Sequence, residues 1–137
     1  MDLHLDQREK EGIQILDLRG HLEAGDSEAT LRTRINALVK ANALNVILNL
    51  AEVTRIDADG LEALVFCYTQ IQKCGGALKL ARLNIEHLTL NVLTKLNTVF
   101  EVFTDEHDAV NSFFPDRAVR RYDILEWVRG QEKAGWS

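Results

Sequence analysis

The segment Asn49-Leu50-Ala51-Glu52-Val53-Thr54-Arg55-Ile56-Asp57-Ala58-Asp59-Gly60-Leu61 sets two carboxylates, Asp57 and Asp59, just ahead of an amphipathic run. Carboxylates so placed have two uses. They accept hydrogen bonds from the free N–H groups of a helix's first turn and complement its dipole, which is structural work. They also mark an exposed helix start at the carboxyl end of a strand as a recognition or switch point, where charge and bulk decide what docks. The residues alone leave both readings open. A metal pocket would need carboxylates from separate strand ends, and no third partner stands out. His4, His21, His87 and His107 are scattered over different elements, so a convergent metal site is not expected. Gly-x-Ser-x-Gly, Gly-x-x-x-x-Gly-Lys and His-Glu-x-x-His are all missing. Cys67 is expected in helix packing and Cys74 at an exposed helix end, neither in the basic setting that makes a thiol nucleophilic. The expectation is a protein that is not an enzyme and needs no cofactor.

The elements that position these residues belong to a chain of 137 residues and 15.5 kDa, the size of one ordinary domain. With 46% apolar and 27% charged residues it has the balance of a soluble globular protein. Sixteen Lys and Arg against twenty-one Asp and Glu leave a net charge of −5, which argues against direct nucleic-acid binding. No apolar run approaches the roughly 20 residues that span a bilayer, so membrane insertion is not expected. Met1-Asp2-Leu3-His4-Leu5-Asp6 does not read as a signal peptide. The two cysteines lie seven apart in one expected helix, a rise of about 10 Å that forbids a bridge between them. Reduced thiols and no signal point to the cytoplasm.

Leu3 to Gln7 and Ile13 to Leu18 alternate in type around Gly12 and predict an edge hairpin. Gly20 to Asp26 predicts a loop, with Asp26 or Ser27 capping a helix whose inner face is Leu31, Ile35, Leu38 and Val39. Asn45 to Leu50 hardly alternates, as in a strand covered on both faces. Ala51 to Ile56 predicts a loop. Leu61, Leu64, Val65, Tyr68 and Ile71 predict the inner face of the second helix, ended by Gly75-Gly76. Ala77 to Ala81 predicts a strand, Asn84 the start of a third helix, Val99 to Phe103 a last strand, and Asp105 the cap of a short fourth helix. The order β-β-α-β-α-β-α-β-α requires an α/β fold, a mixed sheet with helices mainly on one side.

Ile56-Asp57-Ala58-Asp59-Gly60-Leu61, between an apolar strand and a helix ending in Gly75-Gly76, resembles the STAS domain of anti-sigma-factor antagonists and of the cytoplasmic tails of sulfate transporters. Gly20-His21-Leu22-Glu23, Gly75-Gly76-Ala77-Leu78-Lys79-Leu80 and Leu93-Thr94-Lys95-Leu96 match in position, so the likeness runs from about Leu3 to Phe113. It implies a non-catalytic interaction module whose partner is an anti-sigma factor or related kinase-like regulator. The implied partner-binding residues are Thr54, Asp57, Ala58, Asp59, Gly60 and Leu61, with Gly60 allowing close approach of the partner backbone. In the phosphoswitch members two hydroxyl residues stand between the Asp and the Gly; here Ala58 and Asp59 occupy those places, and neither offers a hydroxyl to a kinase. Asp59 carries about −1, against roughly −1.5 to −2 for a phosphoserine. Lys95 stands where the family often has Gly. The alternatives are a STAS-type subunit of a transport complex and a domain sensing a nucleotide or small molecule.

Pro115 marks the expected end of the domain, giving residues 1–113 as the STAS-like domain and 114–137 as a partly helical appendage. In the appendage Ile124, Leu125 and Val128 fall at helical spacing, with Tyr122 and Trp127 beside them. Such a stripe packs on its own domain, on a second copy as a homodimer contact, or on a partner.

Overall fold

A computed structural model of the chain describes residues 3–120. Its elements are β1 (Leu3–Lys10), β2 (Ile13–Leu22), α1 (Asp26–Lys40), β3 (Asn45–Ile56), α2 (Ala58–Lys73), β4 (Ala77–Ala81), α3 (Leu90–Val99), β5 (Val102–Phe103) and α4 (Glu106–Asn111). This is the order expected from the sequence. The five strands form one sheet in chain order. β1 runs antiparallel to β2, while β2, β3, β4 and β5 are mutually parallel. The appendage helix expected around Ile124, Leu125 and Val128 lies outside the described residues.

The two faces of the sheet are covered unequally. On the first, Leu16, Leu18, Leu48, Leu50, Leu78 and Leu80 meet the apolar sides of α1, α2 and α3. On the second, Ile13, Ile15, Ile47, Ala81 and Phe103 meet Ala109 and Val110 of α4, with Phe113, Phe114 and Val119 packed beside them. Val46, Ile47 and Leu48 are fully buried, so the run that hardly alternates is a strand covered on both sides.

A six-residue helix such as α4 has no stability of its own and must be tied down. Asp105 caps it, accepting from Asp108 N–H at 2.8 Å. Lys79 Nζ donates to the carbonyl and hydroxyl oxygens of Ser112 at 3.2 and 2.9 Å, placing a cation against the helix's negative end. The same ammonium sits 4.4 Å from the Phe113 ring centre. Arg8 of β1 clasps the Asp17 carboxylate through two hydrogen bonds of 2.7 and 3.1 Å and also holds Glu106 of α4. Arg117 pairs with Glu11 at 2.8 Å and joins the chain beyond Pro115 to the β1–β2 turn.

Several expected boundaries are corrected. Ala51 to Ile56 and Gly20 to Leu22 are strand rather than loop: they pair with each other through Arg19↔Glu52, Gly20↔Val53 and Leu22↔Ile56. Two register shifts in that stretch break the period-two pattern, which is why the sequence does not read as a strand there. Helix α1 is not capped by Asp26 or Ser27; its N-cap is Gly25, and the Ser27 hydroxyl bonds back to Glu23 instead. Asn84 forms a single turn, accepting from His87 and Leu88, and α3 begins only after its Thr89 cap. The last strand is Val102–Phe103, because Val99 ends α3 and Phe100 N–H still bonds to Leu96.

The Arg8 guanidinium, and burial acting against it, leave the Asp17 and Glu106 carboxyls below the usual carboxylate range; Arg117 does the same for Glu11. The folded state therefore binds fewer protons than the unfolded chain in acid. This stabilisation is fully present above about pH 5 and is lost as pH falls through 4 and below. In urea titrations at neutral pH and near pH 4, Arg8→Gln should lower the midpoint at neutral pH and show a shallower acid loss than the parent chain.

Candidate functional site

The turn between β3 and α2 is built around Asp57, the N-cap of α2. Its Oδ1 accepts from Gly60 N–H at 2.7 Å and its Oδ2 accepts from Ala24 N–H at 3.2 Å. Its own N–H donates to the Leu22 carbonyl at 3.2 Å. One residue thus ties the start of α2 to the segment leaving β2, two chain regions more than thirty residues apart. Gly60 completes the junction: a Cβ there would stand 2.0 Å from the Leu22 carbonyl oxygen. Gly60 is buried, and the close approach it allows here is to the Leu22 carbonyl of its own chain.

The other expected site residues separate into two groups. Ala58 and Asp59 are exposed in the first turn of α2, and Leu61 is half-buried beside them. Thr54 lies within β3, half-buried, and not in a loop at the helix mouth. Neither Ala58 nor Asp59 carries a hydroxyl, so the exposed turn presents a methyl group and a fixed carboxylate. Asp26 and Glu28 stand in the first turn of α1, which starts next to this junction, and Glu62 follows on α2. His21 and Arg55 both approach Glu23, at 3.0 and 3.7 Å.

The inner face of α2 is Gly60, Ala63, Leu64, Cys67 and Ile71. Leu61, Val65 and Tyr68, expected on that face, are only half-buried at its margin. That rotation matters, because Leu61 and Val65 form one wall of a groove of about 510 Å³ between α2 and α3. Val92 and Val99 form the opposite wall, Ala58 closes one end, and Glu62 and Lys95 stand across it from one another. Lys95 was singled out in the sequence, and the α3 wall joins Val92 of the buried helix face to the half-buried Val99 about two turns further on. Cys67 is buried, and burial pushes its thiol up to about 12, whereas Cys74 is exposed. Among the described residues no group of three or more His, Cys, Asp or Glu gathers in metal-holding geometry, and no helix is long and apolar enough to cross a membrane.

This arrangement is that of a STAS domain: the family matches residues 4–109, and the chain belongs to it. The fold is shared with the anti-sigma factor antagonist SpoIIAA in its unphosphorylated form, at 13% identity and a TM-score of 0.65 over 82% of this chain and 98% of that one. An anti-sigma factor antagonist from Mycobacterium paratuberculosis matches at 18% identity and a TM-score of 0.62, over 81% and 93%. SLC26A9 matches at 19% identity and a TM-score of 0.55; the match takes in 96% of this chain but only 22% of that much longer one.

Three substitutions separate scaffold from surface. Gly60→Ala should destabilise by about 2–4 kcal/mol, since the clash is with backbone that cannot turn aside. Asp57→Ala should cost about 1–2 kcal/mol for a lost cap that also serves Ala24. Asp59→Ala should stay within about 0.5 kcal/mol. Urea denaturation followed by circular dichroism gives the ranking, and equal losses at Asp57 and Asp59 would contradict the geometry described.

Proposed function

We propose that this chain is a non-catalytic interaction module of the anti-sigma-factor-antagonist type. It acts in the cytoplasm by binding an anti-sigma factor or a related kinase-like regulator, and so regulates transcription without touching nucleic acid. The observation that carries the reading is the surface made by Ala58, Asp59 and Leu61, continuous with the α2–α3 groove: a rigidly held, acidic and apolar patch on a fold shared with such antagonists. Thr54 and Asp57 support the patch from β3 and from the cap, and Gly60 sets its backbone. The usual Ser/Thr phosphoswitch is absent from the reading, because Ala58 and Asp59 stand at the two acceptor places. Residues 1–113 form the interaction domain in this proposal and 114–137 an appendage, with a homodimer contact as one use for it.

A second reading, a STAS-type subunit of a transport complex, rests on the match of nearly the whole chain to part of SLC26A9. Affinity capture from native lysate with the parent chain and with Leu61→Asp distinguishes the two. The proposal expects a sigma regulator to be retained by the parent and lost, by roughly tenfold or more, with Leu61→Asp. Recovery of transport ATPase components would favour the second reading, and a partner that binds both proteins equally would remove the α2 surface from the account. With the captured regulator and ATP, Asp59→Ser should gain a phosphate by mass spectrometry while the parent gains none at this turn.

A further inference from the structure

Among the described residues, α4 and the segment after it cover the second face of the sheet over Ile13, Ile15, Ile47, Ala81 and Phe103. The carboxyl-terminal parts of β2 and β3 on that face are polar and are not covered by α4. Asp17, Asn49 and Ala81 stand in register across β2, β3 and β4. Two residues further on come Arg19 on β2 and Ala51 on β3, and one residue past Ala81 comes Arg82. Asp17, Asn49, Arg19, Ala51 and Arg82 line a depression of about 480 Å³. In open α/β sheets the carboxyl ends of the strands are where ligands sit.

We propose that this depression binds the oxyanion of a small polar molecule, a phosphate or carboxylate group, between the guanidinium groups of Arg19 and Arg82 over the methyl group of Ala51. Arg8, Arg32, Arg34, Arg55 and Arg117 each hold an acidic or amide oxygen of this chain. The side chains of Arg19 and Arg82 make no hydrogen bond or ion pair among the described residues. One acid of the depression is already committed: Asp17 receives two hydrogen bonds from Arg8 and one, at 2.8 Å, from Asn49. The Asn49 amide is also spent, since its oxygen accepts from Ala51 N–H at 3.1 Å. Two planar donors matched to oxyanion geometry therefore line one recess without a side-chain hydrogen bond among the described residues, although Glu52 stands opposite Arg19 in register and the charge of Arg82 reaches Asp17.

The backbone at Arg82 adds a second observation. Arg82 has φ +57°, the left-handed region that a bulky side chain enters at a cost, and its N–H is fastened to the Phe103 carbonyl at 3.0 Å. This fixes the guanidinium's origin at the junction of the depression with a second recess of about 320 Å³, lined by Asn84, Glu86 and Thr104. Asp6 and Glu52 stand in the first depression as well. They repel a bare anion and accept from hydroxyl or amino groups, so the chemistry fits an oxyanion that carries its own donors, such as a sugar phosphate or an amino acid, better than inorganic phosphate.

The test is an NMR titration of the folded chain at low salt, following the arginine side-chain Nε–Hε signals. The probes are inorganic phosphate, glycerol phosphate and glutamate, each to millimolar concentration. Saturable shifts at Arg19 and Arg82, stronger for glycerol phosphate or glutamate than for inorganic phosphate, are expected, and the tighter of the two organic probes assigns the oxyanion. Arg19→Gln and Arg82→Gln, both at exposed side chains, should each weaken binding about tenfold while leaving the amide spectrum folded. No shift with any probe overturns the site. So do shifts that survive in both variants, or that fall on the first turn of α2 instead. Because the recess lies on the face away from the α2–α3 groove, partner capture by the parent chain is not what this titration measures.

Discussion

Everything exposed at the α2 start depends on one carboxylate that is itself not fully exposed. Asp57 uses its two oxygens on two different parts of the chain, the first turn of its own helix and the backbone at Ala24. Without it, two N–H groups would lose their acceptor at a junction that is already tight, because Gly60 and the Leu22 carbonyl lie where no side chain fits. Capping alone would need only one of these bonds. The second makes the helix start and the β2–α1 segment a single rigid piece. A surface held this way loses little conformational freedom when something docks on it, so the burial of Leu61 and its neighbours is not offset by ordering costs.

The sheet divides its labour by face. Three helices seal the first face along its whole length, and the short α4 seals one end of the second. A six-residue helix can do so only because charged side chains reach it from the strands: Lys79 at its carboxyl end and Arg8 at its amino end, by way of Glu106. Neither pair is a deep ion pair. Arg8 is half exposed, and its worth lies in joining β1, β2 and α4 at one point rather than in raw Coulomb energy. Among the described residues α4 does not reach the polar carboxyl-terminal parts of β2 and β3 on that face, where Arg19 and Arg82 make no side-chain hydrogen bond.

The sequence made the fold legible where burial imposes a period. The doubly covered Val46-Ile47-Leu48, the caps at Asp57 and Asp105, and the element order all follow from patterns of two and of three to four. It misled where backbone geometry departs from those periods. Register shifts between β2 and β3 hid nine residues of strand, Gly20 to Leu22 and Ala51 to Ile56, behind an irregular pattern. Asn84 looks like a cap, but its side chain donates to the Ala51 carbonyl at 3.1 Å and leaves capping to Thr89. At the candidate site the carboxylates were readable but the packing of Gly60 was not, since nothing local in Asp59-Gly60-Leu61 says that the Leu22 carbonyl comes to meet it. The groove depended on which side of α2 turns inward. An error of one position in the helical face put Leu61 and Val65 in the core instead of on its rim.

The charge at the exposed turn has a consequence for how binding there is controlled. A carboxylate in the first turn of a helix gains about 0.3–1 kcal/mol from the dipole. Asp59 supplies a carboxylate there without any modification, whereas a hydroxyl at the same place would carry charge only after phosphorylation. Adding a dianion next to Asp57, Asp59 and Glu62 would crowd like charges within one turn and a half of helix. Under the proposed function, the surface is therefore constant and not switched by phosphorylation at Ala58 or Asp59. On the proposed function, what varies is the amount of partner and of this chain, and the response is set by mass action at a preformed patch instead of by a kinase at Ala58 or Asp59.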